Sequence, residues 1–295
     1  MPISRMDHKS SFIYANRETV TSGGETTTYA YDPKGELVGK TDPGSRAQRY
    51  EYDGTSNRTL LVDPDGGRFT SAFDALGREA SLHNPTNRRF TMQFDPDGRR
   101  TTLLTGFGTT QKFQYDAASR LTTQVEQNSS NIPIVTFVDA WDGASRKTSQ
   151  TKDGNPTTYL YDNINRLAGQ QKAGAWATFV YDPVGNILFK EHQSSAPLTM
   201  SYDPASRLTT SIQAAMVTTH MYDANGNLTN EEQGGVNTQF LFDRENRLKK
   251  RTDADGSVMT NTFDGDGLRR TRQKAGEPVV TYIWDGSDYL GEVNS

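Results

Sequence analysis

The chain has 295 residues, of which only 33% are hydrophobic, with 26 Gly and 12 Pro, a balance that excludes one deep globular core. A formal net charge of −4 argues against a general nucleic-acid binder, and the absence of cysteine excludes disulfides, thiolate metal sites and a cysteine nucleophile. Aromatic residues at 10% exclude a disordered chain, and no apolar run of about 18 residues is present to cross a bilayer as a helix.

Residues 1–26 read as a short lead-in or partial repeat, and they lack the apolar stretch of a secretory signal. From residue 27 to 295 the chain is an array. An aromatic-aspartate pair recurs at Tyr31-Asp32, Tyr52-Asp53, Phe73-Asp74, Phe94-Asp95, Tyr115-Asp116, Trp141-Asp142 and Tyr161-Asp162. It continues at Tyr181-Asp182, Tyr202-Asp203, Tyr222-Asp223, Phe242-Asp243, Phe263-Asp264 and Trp284-Asp285. The spacing is 20 or 21 residues except for one interval of 26, where an insertion falls near 124–138. A period of this length is the signature of a repeat architecture.

Each unit reads as a β-hairpin. Residues before the pair alternate, as in Phe90, Met92 and Phe94, or Tyr159 with Tyr161, and period two means strand. The aspartate can accept a backbone hydrogen bond two residues on, and Pro33, Pro96, Pro183 and Pro204 suit the second turn position. Four residues after the aromatic stand Gly35, Gly77, Gly98, Gly185, Gly226 and Gly267, or else Ser, Asn or, at position 288, Asp. This slot is expected to be left-handed, closing a type I turn with a bulge. The next slot holds Arg78, Arg99, Arg120, Arg146, Arg166, Arg207 or Arg247, or Asn57, Asn186 or Asn227. These side chains are expected to return to the turn aspartate or to stack on a neighbouring aromatic, rather than to form a ligand ladder.

Two strands in each of 13 units give 26 strands, a ribbon of about 125 Å along the hydrogen-bonding direction. The fold class is therefore all-β, about 13 consecutive hairpins in one long coiled antiparallel sheet, an open spiral. With so few repeats an open curved strip is expected rather than a closed shell, with fraying ends and self-association through unpaired sheet edges.

The units "YDPASRLTT", "YDANGNLTN", "YDNINRLAG" and "YDAASRLTT" resemble the tyrosine-aspartate repeat of the Rhs family over nearly the whole chain. "PVVTYIWDGSDYLGEV" also looks like the last repeat before the core domain of Rhs proteins. That family includes bacterial polymorphic toxins, the C components of insecticidal toxin complexes and the teneurins of animals. The resemblance implies a spiralling β-shell that encloses a C-terminal toxin in bacteria, or that serves adhesion in teneurins. It assigns the aromatic-aspartate anchors and turn glycines to shell structure and nothing to catalysis, since the family's self-cleaving aspartates belong to the core domain. Neither autoproteolysis nor toxicity is expected of this chain. Its partners would be the remaining shell, core and toxin domains of a longer protein, secreted or at a cell surface.

No cofactor is expected. Calcium at the aspartate-rich turns Asp63–Gly67, Asp253–Gly256 and Asp264–Gly267 would lack the closing bidentate glutamate and the full ligand count. His8, His83, His192 and His220 lie in separate units, and His220 takes a strand position two before Tyr222, which suits packing rather than catalysis. The alternative to a shell is a carbohydrate-binding or adhesion module using aromatics such as Trp141, Trp176 and Tyr289.

Overall fold

The computed structural model describes residues 18–22 and 25–294. Among them there are 27 strands and no helix. The first are β1 (Thr19–Ser22), β2 (Glu25–Tyr31), β3 (Leu37–Asp42), β4 (Arg46–Tyr52) and β5 (Arg58–Val62), and the last are β26 (Val280–Asp285) and β27 (Asp288–Asn294). Every strand pairs antiparallel with the next, from β1–β2 to β26–β27, so the sheet is one uninterrupted meander. β1, which lies within the lead-in, adds one strand to the 26 expected; His8 lies outside the described residues.

The expected turn geometry is present in detail. In the first repeat the Gly35 amide donates to the Asp32 carbonyl at 3.0 Å and the Asp32 amide to the Glu36 carbonyl at 3.0 Å, which is a type I turn closed by a bulge. The register shifts there, between Ala30 and Tyr31, as it does at the matching place in later units. The slot four after the aromatic is left-handed whether it holds Gly35, Ser56, Ser119, Asn165 or Asn246. Asp288 departs from this pattern. Gly286 (φ 57°) turns the chain two residues earlier, so Asp285 pairs directly with Asp288 and the latter opens β27. The insertion is also not a loose loop: it lengthens one hairpin, β11 (Leu121–Gln127) and β12 (Pro133–Trp141), about a turn capped by the Asn128 carboxamide.

As expected, the sheet is open, since β1 and β27 do not pair with each other. The bare strip, however, has a feature that local patterning does not reveal: its end lies against its beginning. Ladder partners share a face, so Tyr29, Lys40 and Gln48 lie on the aromatic side, as do Tyr50, Leu61 and Phe69. Against that face comes the opposite face of the last hairpin. Lys40 Nζ and Gln48 Nε2 both donate to the Trp284 carbonyl, at 3.1 and 3.0 Å, and Arg58 pairs with Asp285 at 2.5 Å. Tyr29 also donates to Asp266 at 3.1 Å. One turn of the coil therefore takes about 22 strands, a circumference of roughly 105 Å and a diameter of ~34 Å.

The most buried apolar side chains belong to the strands that form this seam. A one-layer sheet covers few side chains completely, and the buried apolar residues among those described are Tyr50, Leu60, Leu61, Val280 and Ile283, all from β4, β5 and β26. The Arg58–Asp285 pair is lopsided, because the Asp285 side chain is 7% exposed and that of Arg58 is 40% exposed. Arg58→Ala strands a buried carboxylate and is expected to cost about 3 kcal/mol of seam stability, whereas Asp285→Ala leaves a cation that water can reach and is expected to cost about 1 kcal/mol. Hydrogen exchange of the β26–β27 amides measures both; equal deprotection by the two variants would contradict the asymmetry.

Candidate functional site

The recurrent site of this molecule is the clamp at each aromatic-aspartate turn. Oδ1 of the turn aspartate accepts the backbone amides two and four residues on, as Asp116 does from Ala118 and Arg120, both at 2.9 Å. Oδ2 is left for the next side chain. In seven repeats that is the Arg Nε, from Arg78–Asp74 to Arg247–Asp243, at 2.6 to 2.7 Å. Asn57, Asn186 and Asn227 do the same with Nδ2 at 2.7 to 3.0 Å.

The same guanidinium reaches forward. Its carbon lies 4.5 to 5.9 Å from the ring centroid of the next repeat's aromatic, as with Arg78 over Phe94, Arg166 over Tyr181 and Arg120 over Trp141. Nη1 donates on to the next aspartate's carbonyl, at 2.8 Å from Arg120 to Asp142 and 2.7 Å from Arg166 to Asp182. The two roles expected of Arg, return to the aspartate and stacking on an aromatic, are thus filled together. The aromatic reaches back in turn. Tyr52, Tyr115, Tyr161, Tyr181, Tyr202 and Tyr222 donate their hydroxyls at 2.8 to 3.0 Å to a carbonyl at the start of the previous repeat's second strand. Trp141 and Trp284 use Nε1 for the same purpose.

Sequence reasoning passed over that backward bond, whose signal is the choice of Tyr or Trp over Phe. Where Phe263 lacks the hydroxyl, Asn261 supplies a donor to the equivalent carbonyl, that of Leu248, at 2.9 Å. The seam residues Lys40, Gln48, Arg58 and Asp285 were likewise not singled out as a group.

These arrangements tie successive repeats together. The cavity at the seam, lined by Lys40, Asp42, Arg46, Asp264, Arg270 and Trp284, measures about 30 Å³, which fits a water molecule and no organic ligand. Among the described residues no three His, Asp or Glu converge as a metal cluster. In the aspartate-rich turn at Asp63, Oδ1 already accepts the amides of Asp65 and Gly67. His220 is a strand residue with Nε2 3.4 Å from Glu231.

The clamp fixes its aspartates as anions. In Asp74, Asp116, Asp142 and Asp203 the amide of the following Arg is the main cause; it prevails over the opposing effect of burial, with help from the guanidinium, and holds the carboxyl below its ordinary 3.8. At the seam Asp264 is the exception, raised by burial.

Comparison with known proteins places these observations. Residues 31–68 match the RHS Repeat family and residues 143–289 match the Teneurin YD-shell family. The fold is similar to that in the crystal structure of TcdB2-TccC3-Cdc42, with a TM-score of 0.65 and 18% identity, over 90% of this chain and 16% of that one. It is also similar to the Tc holotoxin pore of Photorhabdus luminescens, with a TM-score of 0.64 and 18% identity, over 89% of this chain and 16% of that one. A third similar structure, TcdB2-TccC3, gives a TM-score of 0.59 and 15% identity over 92% of this chain and 20% of that one. This chain thus spans a fifth or less of the solved chains. No curated protein matches its sequence.

Two outcomes are expected from the clamp. Phe242→Tyr places a hydroxyl at the Leu228 carbonyl and is expected to stabilise the chain by about 1 kcal/mol in chemical denaturation; no gain would mean that ring packing alone sets this slot. Because the folded-state values of the clamped aspartates are depressed, their stabilisation is present above an unfolded value near 3.8 and is lost as pH falls through the lower folded values. Unfolding followed by circular dichroism should accordingly stay flat from neutral pH down to about 4 and fall steeply below it.

Proposed function

From the premise that the chain belongs to the Rhs/YD-repeat family, we propose that it is a non-catalytic structural segment of a β-shell that encapsulates or presents a C-terminal toxin. It acts as part of a larger protein that is secreted or delivered at a cell surface. The observation that carries this reading is the continuous 27-strand meander that coils until its last hairpin meets its first strands. A wall of this kind is one sheet thick, has turns rather than loops at both rims, and curves round a space ~34 Å across by the strand count. Its partners on this reading are the remaining shell, core and toxin domains, in keeping with the TcdB2 and TccC3 components named for the similar structures.

The clamp suits that work. Seven of the 13 units are tied to the next by an arginine's charge-assisted hydrogen bonds, so a long wall can be built without a deep core.

Limited proteolysis of the complete polypeptide tests the reading, comparing wild type with Arg58→Ala. Encapsulation predicts that the segment downstream of the shell resists protease in the wild type and is cut faster once the seam is weakened. A downstream segment digested at the same rate in both would count against a shell role.

A further inference from the structure

The densest run of positive charge in this net-negative chain is Arg244, Arg247, Lys249, Lys250 and Arg251, five cations within eight residues. Two of them are spent on neighbours. Arg247 holds Asp243 and Glu245, both at 2.7 Å, and Arg251 pairs with Asp253 at 2.6 Å. The other three, Arg244, Lys249 and Lys250, make no ion pair among the described residues.

The local fold decides where these three point. In β22 (Val236–Phe242) and β23 (Leu248–Thr252), Leu241 is the ladder partner of Lys250 and Gln239 that of Thr252, so all four side chains lie on the face opposite the rings. The register shift between Leu241 and Phe242 leaves Lys249 as the extra residue of the bulge. In other repeats that position is Thr59, Thr101, Thr122, Thr209 or Thr229, whose hydroxyl donates to the carbonyl before the ring at 3.1 to 3.3 Å. Lys249 makes no such bond and is exposed.

The result is a shallow groove along β22, made of two connected hollows. One, of about 540 Å³, lies at the aromatic-aspartate rim among Asn225, Leu241, Arg244 and Lys249, and the other, of about 450 Å³, continues inward over Gln239, Leu241 and Lys250. Leu241, 56% exposed, lines both. From Gln239 to Asp243 the groove runs about 13 Å, four residues of extended chain.

The carboxylates beside the groove already have their donors. Asp223 and Asp243 use both oxygens within their clamps, and Glu245 is held by Arg247. An incoming anion therefore meets free ammonium and guanidinium groups around an aliphatic floor, with the carboxamides of Asn225 and Gln239 beside it.

We propose that this groove binds an extended acidic peptide, whose carboxylates pair with Lys249, Lys250 and Arg244 and whose aliphatic side chain rests on Leu241. Charge complementarity selects the partner and the apolar contact holds it. The rings lie on the other face of the sheet, so no stacking platform is offered to nucleobases. A recessed floor flanked by carboxamides suits a chain rather than a flat anionic bilayer. This binding does not depend on whether the wall encloses a toxin.

Fluorescence anisotropy of the purified chain with a labelled hexapeptide of alternating Glu and Leu tests the proposal, against the same peptide with Lys in place of Glu. Saturable binding that weakens as salt rises is expected for the acidic peptide alone. The double variant Lys249→Glu/Lys250→Glu should weaken it by about 10-fold or more, and Leu241→Ser by about 5-fold, each with an unchanged circular dichroism spectrum. The double variant Arg89→Glu/Lys112→Glu makes the same change in net charge at exposed positions far along the sheet and should bind as the wild type does. Absence of saturable binding, equal affinity for the basic peptide, or equal weakening in both double variants would overturn the proposal. Tighter binding of heparin or of phosphatidylserine vesicles than of the acidic peptide would reassign the groove to an anionic polymer or to lipid, and would overturn it as well.

Discussion

The structure depends on one carboxylate used twice. In the clamped turns the aspartate spends Oδ1 on its own backbone, which sets the reversal, and Oδ2 on the Arg or Asn that follows, which in all but Asn57 also bonds the next repeat. Local geometry and inter-repeat cohesion are thereby linked through a single side chain. An aspartate shortened or neutralised would release both the turn and its neighbour, and this explains why the residue recurs when the positions around it vary among Pro, Ala, Asn and Gly.

A second consequence of the clamp is that cohesion is spread evenly instead of being concentrated. A single sheet leaves both faces accessible, and hydrophobic burial cannot supply the cooperative core of a globular domain. The ladder of Tyr hydroxyls reaching back and Arg groups reaching forward compensates with partly shielded, charge-assisted contacts at each boundary. Three of the five buried apolar side chains, Tyr50, Leu61 and Ile283, lie on the two faces that meet at the seam.

Much of this was legible in the sequence because the determinants are local. Period two gave the strands, Asp with Pro gave the reversals, and Gly, Asn or Ser four residues after the ring gave the left-handed slot, all within a single unit. The Trp284 unit failed the pattern for an equally local reason: Gly286 permits a tighter loop than the spacing suggested. The seam was not legible. It joins Lys40 to Trp284 and Arg58 to Asp285, separations set by curvature summed over some 22 strands, and no single repeat encodes that sum. Asn261 taking over from the missing hydroxyl of Phe263 was hidden for a similar reason, since it appears only once the neighbouring carbonyl is placed.

The lengthened hairpin of β11 and β12 gains meaning from where curvature puts it. Counting strands from the seam at β3 and β26, it falls a little over a third of the way round the coil. Its nine-residue strand carries the Asn128–Asn131 turn beyond the general level of that rim, while the rim at the seam is crossed by a second layer. The outline is thus doubled in thickness at the seam and raised at one other place, like a key with a single bit. A neighbouring body seated there could fit in only one rotational setting, so the molecule carries its own alignment mark.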